Sequence, residues 1–102
     1  MLIGKIIGTI VATQKDEELE GFKLLLVQQI TPFGKKQNTF VVCVDSIGAG
    51  VGELIIYTTG SSARQTQLTK EKPIDHIIIG IIDEITLQDL VVFNKKGGFV
   101  AN

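Results

Sequence analysis

The sequence is poor in the residues that carry most catalytic and cross-linking chemistry. It has one cysteine, Cys43, one histidine, His76, and no tryptophan. One cysteine and one histidine exclude a disulfide framework and a multi-ligand zinc site within a single chain. We therefore predict a cytoplasmic protein with no metal and no other cofactor.

Excess charge and long apolar runs are also absent. Ten basic and eleven acidic residues give a net charge of −1, which leaves no general attraction for nucleic acid or an anionic membrane. No apolar run approaches the roughly 18 residues that a membrane span needs, and the start of the chain lacks the features of a signal peptide. We expect a soluble protein that partners neither nucleic acid nor a membrane.

The chain is rich in β-branched side chains, because Ile, Val and Thr make up about a third of its 102 residues. These side chains favour strands, and a chain of this length has room for one core. The composition predicts a single all-β domain over residues 1–102. Apolar runs bounded by turn-forming residues predict strands at 3–13, 22–30, 40–44, 53–59 and 77–85, and a sixth short strand at 91–93.

Two connections carry distinct signals. Residues 32–38 begin with Pro and include Gly34, which is typical of a hairpin link. In the stretch 60–73, Ser61 or Ser62 can cap a short helical turn over residues 63–65. Five strands and one short helix favour a small five-stranded OB-like β-barrel, with an immunoglobulin-like sandwich of about seven strands as the alternative.

Several predicted strands are apolar on both faces. Residues 24–27, 40–44 and 77–79 are uninterrupted apolar runs, whereas a half-buried strand alternates apolar and polar residues. One face fills the barrel, and the other face needs a cover. The simplest cover is another copy of the chain, and the alternative is a loop or terminal segment of the same chain.

Candidates for catalysis are few. His76 lies next to Asp75 and could pair with it and a nearby serine, but a local role at a strand edge is the simpler interpretation. Cys43 lies in a Val-rich run that favours a buried thiol, and the adjacent Asp83 and Glu84 project to opposite faces of a strand. We predict no catalytic residue and no enzyme activity.

The glycines at 48, 50 and 52 have the spacing of a phosphate cradle, but no Lys-Ser/Thr pair follows them. A tight turn, or a close approach to a neighbouring subunit, is the more typical role of such glycines. An OB-like barrel also raises single-stranded nucleic acid as a ligand. However, Phe40 and Tyr57 lie in apolar strands, where we expect them to pack, and the cations are scattered.

The order of these motifs resembles a known family. The segment 45–53, DSIGAGVGE, is followed by GSSAR at 60–64, KLLLV at 23–27 precedes both, and PID at 73–75 leads into GIIDE at 80–84. This pattern resembles the EutN/CcmL family of bacterial microcompartment vertex proteins, and it is closer to ethanolamine-utilisation members than to carboxysomal ones.

The resemblance implies a five-stranded OB-like barrel that assembles into a cyclic homopentamer. Such pentamers cap the vertices of a polyhedral shell in the cytoplasm, where their partners are hexameric shell proteins. The implied function is structural. The alternative is an OB-type binding module for single-stranded nucleic acid or a small molecule.

The resemblance also implies a set of subunit-interface residues. Small residues at the turn after the third strand would let backbones approach closely, and Arg64 would contact a carboxylate or a carbonyl across the interface. A purely local loop contact is the alternative for Arg64. The implied interface residues are Gly48, Ala49, Gly50, Gly60, Ser61, Ser62 and Arg64.

Overall fold

The computed structural model describes residues 1–13, 17, 21–60 and 75–100. Eight strands lie within these ranges, and the predicted helical turn at 63–65 lies outside them. The strands are β1 (Leu2–Ile10), β2 (Lys23–Ile30), β3 (Lys36–Asp45), β4 (Leu54–Thr59), β5 (His76–Ile81), β6 (Glu84–Leu87), β7 (Leu90–Asn94) and β8 (Gly98–Phe99).

The first five strands close into a barrel in the order β1-β2-β3-β5-β4. Neighbouring strands are antiparallel, except that β3 and β5 are parallel and share the pair Val44 and Ile77. The all-β, five-stranded barrel is therefore confirmed. The last three strands form a separate sheet in the order β6-β7-β8. From the sequence we predicted only one separate short strand, 91–93, for this sheet.

The third strand begins at Lys36, so the prediction of a connection over 32–38 is wrong at its C-terminal end. Gly34, at a φ of 89°, closes a shorter turn in which the Gly34 amide donates to the Thr31 carbonyl. Lys36 then pairs with Ile30 across a bulge in β2. The polar side chains of residues 36–38 belong to the strand because its first half is exposed to solvent.

The predicted strand 77–85 is in fact two strands. The Ile82 amide donates to the Leu54 carbonyl at 2.9 Å, which is the last backbone bond of this segment to the barrel. The chain then turns at Asp83 and enters β6. The split has a physical cause: residues before the turn pair with β4, and residues after it pair with β7. The first strand also ends at Ile10, earlier than predicted.

Alternate side chains of the barrel strands fill its interior. Leu25 and Val27 of β2, and Ile55 and Tyr57 of β4, are fully buried. Cys43 is buried among them as predicted, and desolvation raises the pKa of its thiol to about 12. A thiol in this environment is protonated at neutral pH and acts as a small apolar side chain.

The C-terminal sheet covers one side of the barrel. A second apolar cluster joins Ile30 and Leu54 of the barrel to Ile82 and Phe93, with Phe99 packed against it. The rings of Phe93 and Phe99 lie 4.8 Å apart. On this side the cover is therefore a terminal segment of the same chain, which was the predicted alternative to a second copy of the chain.

Part of the outward face of β2 and β3 has no such cover among the described residues, although Val44 at one end of it is buried against Ile77. Leu26 pairs with Val42, and Gln28 pairs with Phe40. Val42 is 44% exposed and Phe40 is 53% exposed, so the expectation that Phe40 packs is wrong within a single chain, whereas Tyr57 is buried as expected. We call Leu26, Phe40 and Val42 the uncovered face.

Two strand glycines give a test of the packing. A Cβ at Gly4 would collide with Cγ1 of Val27 and come within 3.1 Å of the Tyr57 ring, whereas a Cβ at Gly80 would meet only Cδ1 of Ile56, at 3.9 Å. We expect Gly4→Ala to lower the free energy of unfolding by about 1–3 kcal/mol because the core is overpacked. Gly80→Ala is the matched control and should change it by less than about 1 kcal/mol. Guanidinium denaturation measures both, and equal effects would contradict the packing.

Candidate subunit interface

The implied interface turn, Gly48–Gly50, lies in the connection from β3 to β4 and is organised by Asp45. The Asp45 carboxylate is buried and accepts hydrogen bonds from the amides of Ile47, at 3.1 Å, and Ala49, at 3.0 Å. Lys23 lies 3.7 Å from the same carboxylate. A buried carboxylate with two amide donors and a nearby cation is well satisfied, so it holds the turn in one conformation.

The three residues of the turn have different roles. Ala49 is fully buried in the barrel core, and its carbonyl accepts a hydrogen bond from Nζ of Lys23 at 2.8 Å. Gly48 is exposed and has a φ of 86°, a backbone conformation that favours glycine. Gly50 is partly exposed and has a negative φ. The turn therefore presents nearly bare backbone on either side of a buried alanine.

Glu53 holds the second half of the connection. Its Oε1 accepts a hydrogen bond from the Gly50 amide at 2.7 Å. The Gly52 amide donates to the Ile6 carbonyl, and the Ile6 amide donates back to the Glu53 carbonyl. These bonds fasten the glycine-rich segment to β1.

The same carboxylate reaches the C-terminal sheet. Oε2 of Glu53 lies 3.0 Å from Nζ of Lys95, which is also 3.9 Å from the Asp83 carboxylate. The hydrogen bond from Lys95, and then that from the Gly50 amide, hold the pKa of Glu53 below its ordinary value near 4.5. Glu53 therefore links the turn to the sheet that covers the barrel.

The second group of implied interface residues lies elsewhere. Gly60 follows β4 directly, is exposed and has a φ of 61°. Ser61, Ser62 and Arg64 lie outside the described residues, so their implied contacts stay predictions. Along the chain, β4 (Leu54–Thr59) separates Gly60 from the Gly48–Gly50 turn.

Sequence reasoning missed the residues that organise the turn. The motifs at 23–27 and 45–53 include Lys23, Asp45 and Glu53, but we predicted no role for these residues from the sequence. An aspartate two residues before an amide in a glycine-rich segment is a known local turn signal and could have identified Asp45. The ion pair of Glu53 and Lys95 joins residues 42 positions apart, and no local pattern predicts it.

Cys43, His76 and Asp83 lie on different elements, and the serines proposed to pair with His76 lie outside the described residues. His76 lies at the start of β5, with its ring edge toward Tyr57 at 6.2 Å between centroids. Asp83 lies in the turn before β6 and is 83% exposed at its side chain. Within the described ranges, no three His, Cys, Asp or Glu residues are grouped so as to hold a metal ion. No helix in the part of the chain that the structure describes could cross a membrane.

The fold defines a class of protein: a small closed barrel that carries its own C-terminal sheet. Solved structures of this class include CcmL of Nostoc sp., with a TM-score of 0.89 at 40% identity over 93% of this chain and 100% of that one. A second is GrpN of Rhodospirillum rubrum, described as a pentameric microcompartment shell protein, with a TM-score of 0.78 at 42% identity over 85% of this chain and 99% of that one.

The family model for ethanolamine utilisation protein EutN and its carboxysome counterpart matches residues 1–83, and the chain belongs to the EutN/CcmL family. The bacterial microcompartment shell vertex protein EutN of Escherichia coli is 39% identical over 93% of this chain and 100% of its own length. The carboxysome shell vertex protein CcmL of Nostoc sp. is 40% identical over 94% and 96%. These two identities do not show whether the chain is more similar to ethanolamine-utilisation members or to carboxysomal members of the family. A closer likeness to ethanolamine-utilisation members therefore stays a prediction.

The position of Glu53 predicts a pH-dependent stability. Because its pKa is lowered on folding, its ion pair with Lys95 stabilises the fold above the ordinary carboxyl value and is lost as the pH falls through the folded pKa. We expect Glu53→Gln to lower the free energy of unfolding at pH 7 by about 0.5–1 kcal/mol. The difference from the wild type should shrink below about pH 4.5.

Urea denaturation between pH 3 and pH 7 measures this difference. Glu84→Gln, which removes an exposed carboxylate from β6, is the matched control for the loss of one negative charge. A Glu53→Gln effect that is constant with pH would contradict the proposed ion pair.

Proposed function

We propose that the chain forms a homopentamer that caps the vertices of a bacterial microcompartment shell in the cytoplasm. The observation that carries this proposal is the likeness, over nearly the full length of the chain, to proteins named as shell vertex proteins. The described neighbour from Rhodospirillum rubrum is itself pentameric. The role is structural and needs no catalytic group.

The uncovered face supports assembly. Phe40 and Val42 expose apolar surface beside Leu26 on a closed barrel. Covering about 400 Å² of apolar surface per subunit is worth on the order of 10 kcal/mol before the costs of association. A second copy of the chain supplies that cover in a ring.

The candidate contact residues form two groups along the chain. A cyclic assembly uses two different patches of each subunit, one for each neighbour. The Gly48–Gly50 turn precedes β4 and the Gly60 group follows it. We assign Gly48, Ala49, Gly50, Gly60, Ser61, Ser62 and Arg64 to subunit contacts.

Geometry gives such a ring its function. A flat layer of hexagonal tiles cannot close into a polyhedron without pentagonal defects. A five-fold ring placed among hexameric shell proteins supplies these defects, so the hexamers are the expected partners.

Co-expression with hexameric shell proteins tests the function directly. With this chain present, electron microscopy should show closed polyhedral particles. Without it, the same hexamers should form open sheets or tubes. Closed particles of the same size in both cases would contradict a vertex role.

Gly50 gives the sharpest test of the interface. It has an ordinary φ, and a Cβ there would meet only Oε1 of Glu53, at 3.6 Å. The single chain therefore has room for a Cβ at this position, so a loss of assembly in a folded variant would come from a clash with a neighbouring subunit. We expect Gly50→Leu to shift the native mass from a pentamer toward single chains of 11.1 kDa.

Native mass spectrometry measures this shift, and circular dichroism verifies that the variant is folded. The control is Gly97→Leu, because Gly97 is exposed, has an ordinary φ and leaves open space around an added Cβ. A Gly50→Leu protein that stays pentameric would remove this turn from the interface.

A further inference from the structure

A second site lies between the barrel and the C-terminal sheet. It is a cavity of about 460 Å³, which is within the range of small-molecule pockets. Its floor is apolar and consists of buried side chains of the second cluster, among them Leu54, Ile82 and Phe93. An apolar body of the size of a benzene ring fits such a floor.

Glycines keep the walls of this cavity open. Gly52 and Gly98 line it with φ values of 93° and 78°, and a Cβ at either position would have no heavy atom within 4 Å. A side chain at either position would therefore enter open space. Gly34 also lines it and lies against the ring of Phe99. The space is thus present without any distortion of the walls.

The rim of the cavity carries positive charge. Lys5, Lys36 and Lys95 line it together with one carboxylate, that of Glu53. Glu53 is already neutralised, because it lies 3.0 Å from Lys95 and accepts the Gly50 amide. Among the described residues, neither Lys5 nor Lys36 has a carboxylate partner.

These two lysines line the same cavity. Lys5 pairs with Gln28, and Lys36 pairs with Ile30, from opposite sides of β2. Two strand spacings and the two-residue offset along β2 put their backbones about 12 Å apart, a distance that two long side chains can close around one anion. Within the described ranges, their ammonium groups are donors that make no hydrogen bond to the protein.

The geometry points to a binding site for a small organic anion, namely a carboxylate or phosphate ester joined to an apolar or aromatic body. The body lies on the floor formed by Leu54, Ile82 and Phe93, and the anionic group lies between Lys5 and Lys36. The single carboxylate at the rim is held by Lys95, so it does not repel the ligand. This site is separate from the proposed vertex function and does not depend on it.

Phenylacetate and phenyl phosphate are the probes, and benzyl alcohol is the uncharged comparison. Isothermal titration of the native assembly should show saturable binding of at least one anion, with a dissociation constant on the order of 1 mM. Binding of phenylacetate alone, or of phenyl phosphate alone, identifies which anionic group the lysines prefer. No saturable binding, or equal binding of benzyl alcohol, would overturn the proposal.

Two sets of variants locate the site. Lys5→Met and Lys36→Met should each weaken binding by about tenfold, whereas Lys96→Met, which does not line the cavity, should leave it unchanged. Gly98→Asn should abolish binding, because Asn tolerates a positive φ and adds a side chain at a position that lines the cavity. Gly21→Asn is the matched control, since Gly21 has a φ of 84° and open surroundings away from the cavity.

Binding that survives Gly98→Asn, or that is lost equally in Gly21→Asn, would contradict the assigned position. The native mass of each sample is measured in parallel. A protein that binds the anion but is not pentameric would refute the vertex function and support this site. A pentamer that does not bind the anion would support the vertex function and refute this site.

Discussion

Strands that are apolar on both faces impose the main constraint on this molecule. One face of each strand fills the barrel, and the outward face of β4 is covered by the C-terminal sheet through Leu54, Ile82 and Phe93. The outward face of β2 and β3 still exposes Phe40 and Val42. The chain therefore covers the outward face of β4 by itself, whereas the exposed apolar surface on β2 and β3 favours assembly with other copies.

The proposed contact turn is held rigid before any neighbour arrives. Asp45 fixes its first half through two amides, and Glu53 fixes its second half through the Gly50 amide. Glu53 also binds Lys95, so the turn and the C-terminal sheet share one network. A preorganised contact loses less conformational entropy on binding, which suits a ring that must close after a fixed number of copies.

The predictable part of the fold is the part encoded locally. Apolar runs of Ile, Val and Leu identified all five barrel strands, and the burial of Cys43 and Tyr57 followed from their apolar neighbours. The C-terminal sheet was missed because β6 and β8 are four and two residues long and form only by pairing with β7. The start of β3 was missed because Lys36, Gln37 and Asn38 are polar, although Lys36 pairs with Ile30 across the hairpin. The glycine turn itself was recognisable, but the distant partners that hold it, Lys23 and Lys95, become visible only once the barrel has closed.

We propose that sister copies cover the uncovered face of Leu26, Phe40 and Val42 around a common axis. Sedimentation equilibrium of the purified chain at low micromolar concentration measures whether they do. We expect a single species with the mass of five 11.1 kDa chains. A stable monomer at that concentration, with Phe40 and Val42 left in contact with water, would contradict it.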